Sequence, residues 1–167
     1  MNSPEKLIVD VVAIQRHATR RRDVVARAEL GATAVGDVGV VDSVADVDLV
    51  VEAITRGMSV TGTVRANWFG PCRRCLDRVE GLIEVPISEI FETEPVEGET
   101  WPIVDERIDL TPPVREAIML ALPLAPLCRD RCRGPVPDRF PTGLSDENAP
   151  KADPRWAVLD ELSFEDD

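Results

Sequence analysis

The sequence predicts an α+β fold: an antiparallel sheet of four to six strands, one main helix and a short C-terminal helix, stapled by a four-cysteine zinc site. Three observations carry this. First, Met58, Val60, Gly62, Val64, Ala66 and Trp68 alternate strictly with Ser59, Thr61, Thr63, Arg65 and Asn67. That period of two describes a strand with one buried and one wet face. Second, Thr111-Pro112-Pro113 leads into Val114, Ala117, Ile118, Ala121 and Leu122, which share one face at helical spacing before Pro123 stops the helix. Third, the four cysteines fall into two short pairs, Cys72-x2-Cys75 and Cys128-x3-Cys132, each in a Gly- or Pro-flanked context crowded with arginine.

Taken in order, residues 6–14 are β-branched and read as a strand. An arginine run over 16–22 follows and carries the lone histidine, His17, which has no partner signal. Val24 to Ala28 form a short strand, and Gly31 to Gly39 read as loop. Val47 to Ile54 are strand-like, and Arg56-Gly57 turns the chain into the alternating strand, so these two runs pair as a hairpin. That strand runs into Cys72. After Cys75 a further strand leaves over Val79 to Phe91, with Pro86 marking an edge position or a bulge. The first cysteine pair is then the loop of a second hairpin. Residues 92–99 are an acidic loop, and 101–104 and 108–110 are short extended pieces. The helix at 112–122, with Thr111 as its N-cap, carries the chain to Cys128 and Cys132. Residues 1–144 are expected to form one domain, and 145–167 an acidic tail with a short docking helix at about 153–162. Whether the sheet stays open or curls into a barrel is not legible in the pattern.

The 167 residues suffice to bury a core, which must rest on aliphatic side chains because aromatics are 4% of the chain and Tyr is absent. Net charge is −12, whereas a domain that binds nucleic acid by bulk electrostatics is basic; any RNA contact must come from a local patch. Such a patch exists in outline: Arg73, Arg74, Arg78, Arg129, Arg131 and Arg133 lie in or beside the cysteine pairs, while acids gather at 92–99 and after Ser145. The arginines either compensate the charge of a metal–tetrathiolate or form an anion-binding face, and the two roles are compatible. The apolar run 7–14 is broken by Asp10 and lacks the flanks of a signal peptide. No run approaches the length of a membrane span. A cytoplasmic protein is expected, in which paired cysteines favour metal or redox chemistry over disulfides.

Two short pairs supply the four soft donors of a closed tetrahedral zinc site, with Cys72, Cys75, Cys128 and Cys132 as ligands. The alternatives are reduced thiols without metal and a redox dithiol; the latter usually opens a helix after a strand, whereas Cys72 follows Gly-Pro in a hairpin loop. Four thiolates saturate the ion and leave no open position for water. The chain also lacks a glycine-rich phosphate loop, a Ser–His–Asp set and a dinucleotide fingerprint. A non-enzymatic protein is expected.

With the pairs placed, the chain resembles the YceD, or DUF177, family of large ribosomal RNA subunit accumulation proteins, in its actinobacterial-like form. The residues that carry the resemblance are Val60-Thr61-Gly62-Thr63-Val64 running into Cys72-x-x-Cys75-Leu76-Asp77, then Glu89-Ile90-Phe91, Ile108-Asp109-Leu110, Arg115 to Pro123 leading to Cys128-x3-Cys132-x-Gly134, and Asp153-Pro154-Arg155-Trp156 with Leu159 and Leu162. It extends over roughly residues 5–163. It implies a role in synthesis, processing or stability of the large-subunit (23S) ribosomal RNA, in ribosome assembly, with that RNA or its precursor particle as partner. It carries over no catalytic chemistry. Many relatives continue with another Cys-x-x-Cys; here Val136 and Arg139 stand at about those places, which leaves a single four-cysteine set.

Two functional readings follow. In one, the arginine-rich zinc face meets ribosomal RNA. In the other, the acidic surface binds a basic ribosomal protein or assembly partner without touching RNA. An enzyme with a site scattered beyond motif recognition is a weaker third. Trp68 and Trp156 read as core or docking residues; Trp101, in a loop, is left open.

Overall fold

The computed structural model describes residues 6–16, 20–136 and 138–139. The elements are β1 (Ile8–Asp10), α1 (Val11–Arg16), β2 (Arg21–Glu29), β3 (Ala34–Val35), β4 (Val38–Val40), a 3-10 turn (Val41–Ser43), β5 (Val44–Ile54), β6 (Gly57–Pro71), β7 (Arg78–Glu92), β8 (Trp101–Pro102), β9 (Arg107–Asp109) and α2 (Thr111–Ala121). The acidic tail, its expected helix, Trp156 and His17 lie outside the described residues.

β6 is the spine. It pairs with β7 along its whole length, from Gly57↔Glu92 to Pro71↔Arg78. Its other edge is shared: β5 takes Gly57 to Arg65, and β4 takes Trp68 and Phe69. β2 extends the sheet beyond β5, and β3 beyond β4. The two expected hairpins are therefore present, with the Thr55-Arg56 turn closing one and the first cysteine loop closing the other. A separate ribbon, β1 with β9, is antiparallel from Ile8↔Asp109 to Asp10↔Arg107.

The alternation read in residues 58–68 places one face of the sheet inward. Met58, Val60, Val64, Ala66, Val47, Leu49, Val51, Ile87 and Phe91 are buried there. α2 covers this face with Val114 and Ile118, Leu122 continues it just past the helix end, and α1 adds Val11 and Ile14. Burying this apolar face is what holds the sheet and helices together. Gly62 sits on the inner face at φ +150°, where a Cβ would land on the carbonyl oxygen of Asp48; the close approach of β5 to β6 requires glycine at this point. Trp68 lies across Gly81, its register partner, and a Cβ on Gly81 would stand 2.8 Å from the indole nitrogen. Trp68 is thus a packing residue, as expected. The opposite face is wet and charged: Asp46, Asp48, Glu52, Glu80 and Glu84 are exposed on it, Arg65 is bound to Glu84 at 2.8 Å and Arg21 to Glu52 at 3.6 Å, and Arg27 stands opposite Asp46.

Several expectations need correction. Among the described residues the sheet has seven strands, not four to six, and it does not close into a barrel. It is mixed, because β8 joins β7 in parallel. The strand expected over 6–14 ends at Asp10, and 11–16 is helical; the Asp10 carboxylate accepts the Ala13 N–H at 2.9 Å and caps that helix. The β-branched composition hid a helical spacing: Val11 and Ile14, three apart, are the buried pair. The short strand at 24–28 is nine residues long, and the 31–39 loop contains β3 and most of β4. α2 begins at Thr111, with Leu110 at the cap position; the Asp109 carboxylate, not Thr111, serves its first turn by accepting the Thr111 N–H at 2.9 Å. Pro86 is indeed at an edge: among the described residues, the far side of β7 is paired only at Phe91 and Glu92.

Candidate metal centre and its arginine-rich rim

The β6–β7 hairpin stays paired up to Pro71↔Arg78, so the loop 72–77 projects from a rigid end of the sheet. Within it the Cys72 N–H donates to the Asp77 carbonyl at 2.8 Å, and the Leu76 N–H to the Cys72 carbonyl at 2.9 Å. Leu76 adopts φ +66° to close the turn. This winding turns Cys72 and Cys75 toward the same point. The second pair arrives from α2 through Pro123 and a segment without regular structure. Two contacts dock it on the first loop: the Arg73 N–H donates to the Pro126 carbonyl at 2.9 Å, and the Arg74 guanidinium donates to the Cys132 carbonyl at 2.7 Å.

The four Sγ atoms lie within 4.8 Å of one another. Cys72 and Cys132 are 3.8 Å apart and Cys75 and Cys128 3.7 Å apart. A disulfide would bring sulfurs to about 2.05 Å, and all four cysteines are free. A tetrahedral ion with metal–sulfur bonds near 2.3 Å has sulfur–sulfur edges of about 3.8 Å. Two edges of the cluster match that value, so the donor set and its spacing fit one metal ion. Cys72 and Cys132 are buried, Cys75 is half-buried and Cys128 is exposed. The centre thus sits at the rim of the core with one side toward solvent.

The thiols are not equivalent. Backbone N–H groups, that of Cys75 foremost, favour the Cys72 thiolate and bring its pKa down to about 6. The Cys128 thiol is pushed up, first by its contact with Cys132 and then by burial. The Cys75 thiol is also raised: the Asp77 N–H favours its thiolate, but burial, the Cys72 sulfur, the Asp77 carboxylate and the Cys132 sulfur together outweigh that. The Cys72 thiolate is thus favoured while those of Cys75 and Cys128 are disfavoured by their neighbours. A divalent ion offsets this repulsion, and its binding must release protons.

All six predicted arginines are exposed around this end, but they do not share one role. Arg74 is tied to the Cys132 carbonyl. Arg78 pairs with Glu80 at 2.6 Å and stacks over the Phe69 ring at 4.3 Å. Arg73, Arg129, Arg131 and Arg133 complete the rim. The clamping role of Arg74 and the Pro126 carbonyl was not legible in the spacing, because it depends on where the second loop docks. Trp101 is also resolved: its indole N–H donates to Glu89 Oε2 at 2.8 Å, which fixes it as a packing residue beside α2. No helix among the described residues is long and apolar enough to cross a membrane.

Comparison with known proteins adds relatives and a family. An uncharacterized protein of Mycobacterium tuberculosis, Rv2926c, is 39% identical over 129 residues, covering 70% of this chain and 61% of the relative. An uncharacterized protein of Mycobacterium leprae, ML1660, is 30% identical over 126 residues, covering 70% and 58%. YlbN of Bacillus subtilis is 29% identical over 121 residues, covering 68% and 70%. The chain spans about three fifths of the length of the mycobacterial relatives it matches. No solved structure gives a significant match. The model of the family described as "Large ribosomal RNA subunit accumulation protein YceD" matches residues 60–163, which takes in most of β6, all of β7 and α2, and all four cysteines. On that match the chain belongs to the YceD family.

Proposed function

We propose that this protein is a non-enzymatic factor for accumulation of the large-subunit (23S) ribosomal RNA, and that it contacts that RNA or its precursor particle through the arginine-rich end held by a structural zinc ion. The observation that carries the reading is the convergence of the four sulfurs within 4.8 Å. It gathers onto one end of the molecule the arginines that flank two cysteine pairs separated by 52 residues of sequence. Zinc is the metal that suits four thiolates in a tetrahedral set with no redox demand. It would be held by Cys72, Cys75, Cys128 and Cys132, and its chemistry there is structural.

Charge placement supports RNA at this end. The outer face of the sheet carries Asp46, Asp48, Glu52, Glu80 and Glu84, and its Arg21 and Arg65 are engaged with Glu52 and Glu84, which disfavours phosphate there. The rim offers Arg73, Arg129 and Arg131, exposed and displayed on loops, as guanidiniums suited to phosphate. The family's description supplies the class of RNA. Ultraviolet crosslinking of the tagged protein in its own cells, followed by sequencing of the attached RNA, tests the reading. Enrichment at defined positions of the large-subunit ribosomal RNA precursor is expected, with the crosslinked peptides falling in 73–78 and 129–133. Background-level recovery would overturn direct RNA contact.

A further inference from the structure

Beside α2, away from the metal end, lies a groove of about 670 Å³. Val85 and Pro86 of β7 and Ala117 and Ala121 of α2 line its apolar part, with Leu120 and Trp101 beside them. Leu120 leaves 81% of its surface in water, which is a standing cost for a large aliphatic side chain on a well-formed helix. Trp101 is fixed: its indole N–H is bonded to Glu89, and its ring centroid lies 6.5 Å from that of Phe91. The groove is therefore pre-formed, which lowers the ordering cost of binding. Its volume is in the range of ordinary ligand sites, about 300–1,000 Å³.

Three carboxylates, Glu89, Glu99 and Glu116, also line it, and no Lys, Arg or His does. The groove runs along a length of β7 that has no strand partner on that side among the described residues. Pro86 interrupts this edge and offers no N–H, which disfavours addition of a strand. A guest would be held by its side chains instead.

We infer that this groove docks a cationic amphipathic segment of a protein partner. Its leucine-like side chains would lie on Ala117, Ala121 and Leu120, and its lysines or arginines beside Glu89, Glu99 and Glu116. Charge selects this occupant. RNA would bring phosphates against three carboxylates. The chain's own residues 140–167 carry eight acids against two bases, and a second copy brings a net charge of −12. The inference goes beyond the ribosomal RNA reading and does not use the metal end.

The test uses the full-length, zinc-loaded protein and three probes: a short amphipathic lysine–leucine peptide, its glutamate–leucine counterpart and an oligouridylate of matched length. The lysine–leucine peptide should bind and shift the Trp101 indole N–H resonance. Leu120→Arg combined with Glu116→Lys should weaken it by about tenfold or more, while Arg73→Glu leaves it unchanged, so failure here is distinct from failure at the metal end. Binding indifferent to the groove variant, or equal binding of the acidic peptide or the oligouridylate at Trp101, would overturn the proposal. A photo-crosslinking residue placed at position 120 in cells identifies the occupant. Attachment to a mapped Lys- or Arg-rich segment of another protein supports it, and attachment to residues 140–167 or to a second copy overturns it.

Discussion

Replacing Cys132 by serine should empty the metal centre and lower stability by on the order of 4 kcal/mol. The size follows from how little else holds the segment after α2. Residues 122–136 contain no helix or strand. Two hydrogen bonds that dock this segment on the first loop are Arg73-to-Pro126 and Arg74-to-Cys132. Each such bond contributes about 1 kcal/mol net, whereas metal ligation in a segment of this kind is itself folding energy. Cys132 is 1% exposed, so a hydroxyl in its place also loses its partners in a buried setting. The sheet core is independent of this loop. Far-ultraviolet circular dichroism should therefore change little, while elemental analysis shows loss of zinc, the melting temperature falls by roughly 10 °C, and the Arg73 and Cys132 amides lose hydrogen-exchange protection. Retention of a full complement of zinc in the variant would show that Cys132 is not a ligand.

The triple variant Arg73→Glu, Arg129→Glu, Arg131→Glu should reduce affinity for a large-subunit ribosomal RNA transcript roughly a hundred-fold at moderate salt, and flatten the log–log salt dependence by about 2–3 units, since each phosphate contact contributes about 0.7–0.9. These three are chosen because their side chains stand at the rim on exposed loops, whereas Arg74 holds the Cys132 carbonyl and Arg78 is engaged with Glu80 and Phe69. Reversing Arg74 would disturb the metal centre and confound the result. Zinc content and melting temperature should stay at wild-type values in the triple variant, so that a binding loss reads as loss of charge at the rim. Wild-type affinity with an unaltered salt slope would remove these arginines from the interface.

What was legible in the sequence was local. Strict alternation over 58–68 and the near-alternation over 79–91 name both partners of the central hairpin, and the cysteine spacing names the loop between them. The spacing 114, 117, 118, 121, 122 likewise names the helix face: Val114, Ile118 and Leu122 are buried and Ala117 and Ala121 are partly covered. The errors came where the local signal is shared by two structures or where distance matters. Val11, Val12 and Ile14 are strand-formers by type, yet Asp10 caps a helical turn that buries two of them. The strands β3, β4 and β8 are two or three residues long and exist only because a longer neighbour offers an edge. Openness of the sheet depends on which strand ends meet, and no periodicity encodes that. At the site, the four donors could be named from spacing, but the docking of the second loop by Arg74 and the Pro126 carbonyl needs the tertiary path. The groove under Leu120 is assembled from three separate stretches of chain and leaves no motif.

The central claim is that Cys72, Cys75, Cys128 and Cys132 hold one zinc ion, because that ion is what brings Arg129, Arg131 and Arg133 of the second loop beside the arginines of the first. X-ray absorption at the zinc edge of the protein purified from its own cells tests this directly. The expected result is one zinc per chain with four sulfur neighbours at about 2.3 Å. A shell containing nitrogen or oxygen ligands, or metal-free protein in which these cysteines form disulfides, would contradict it.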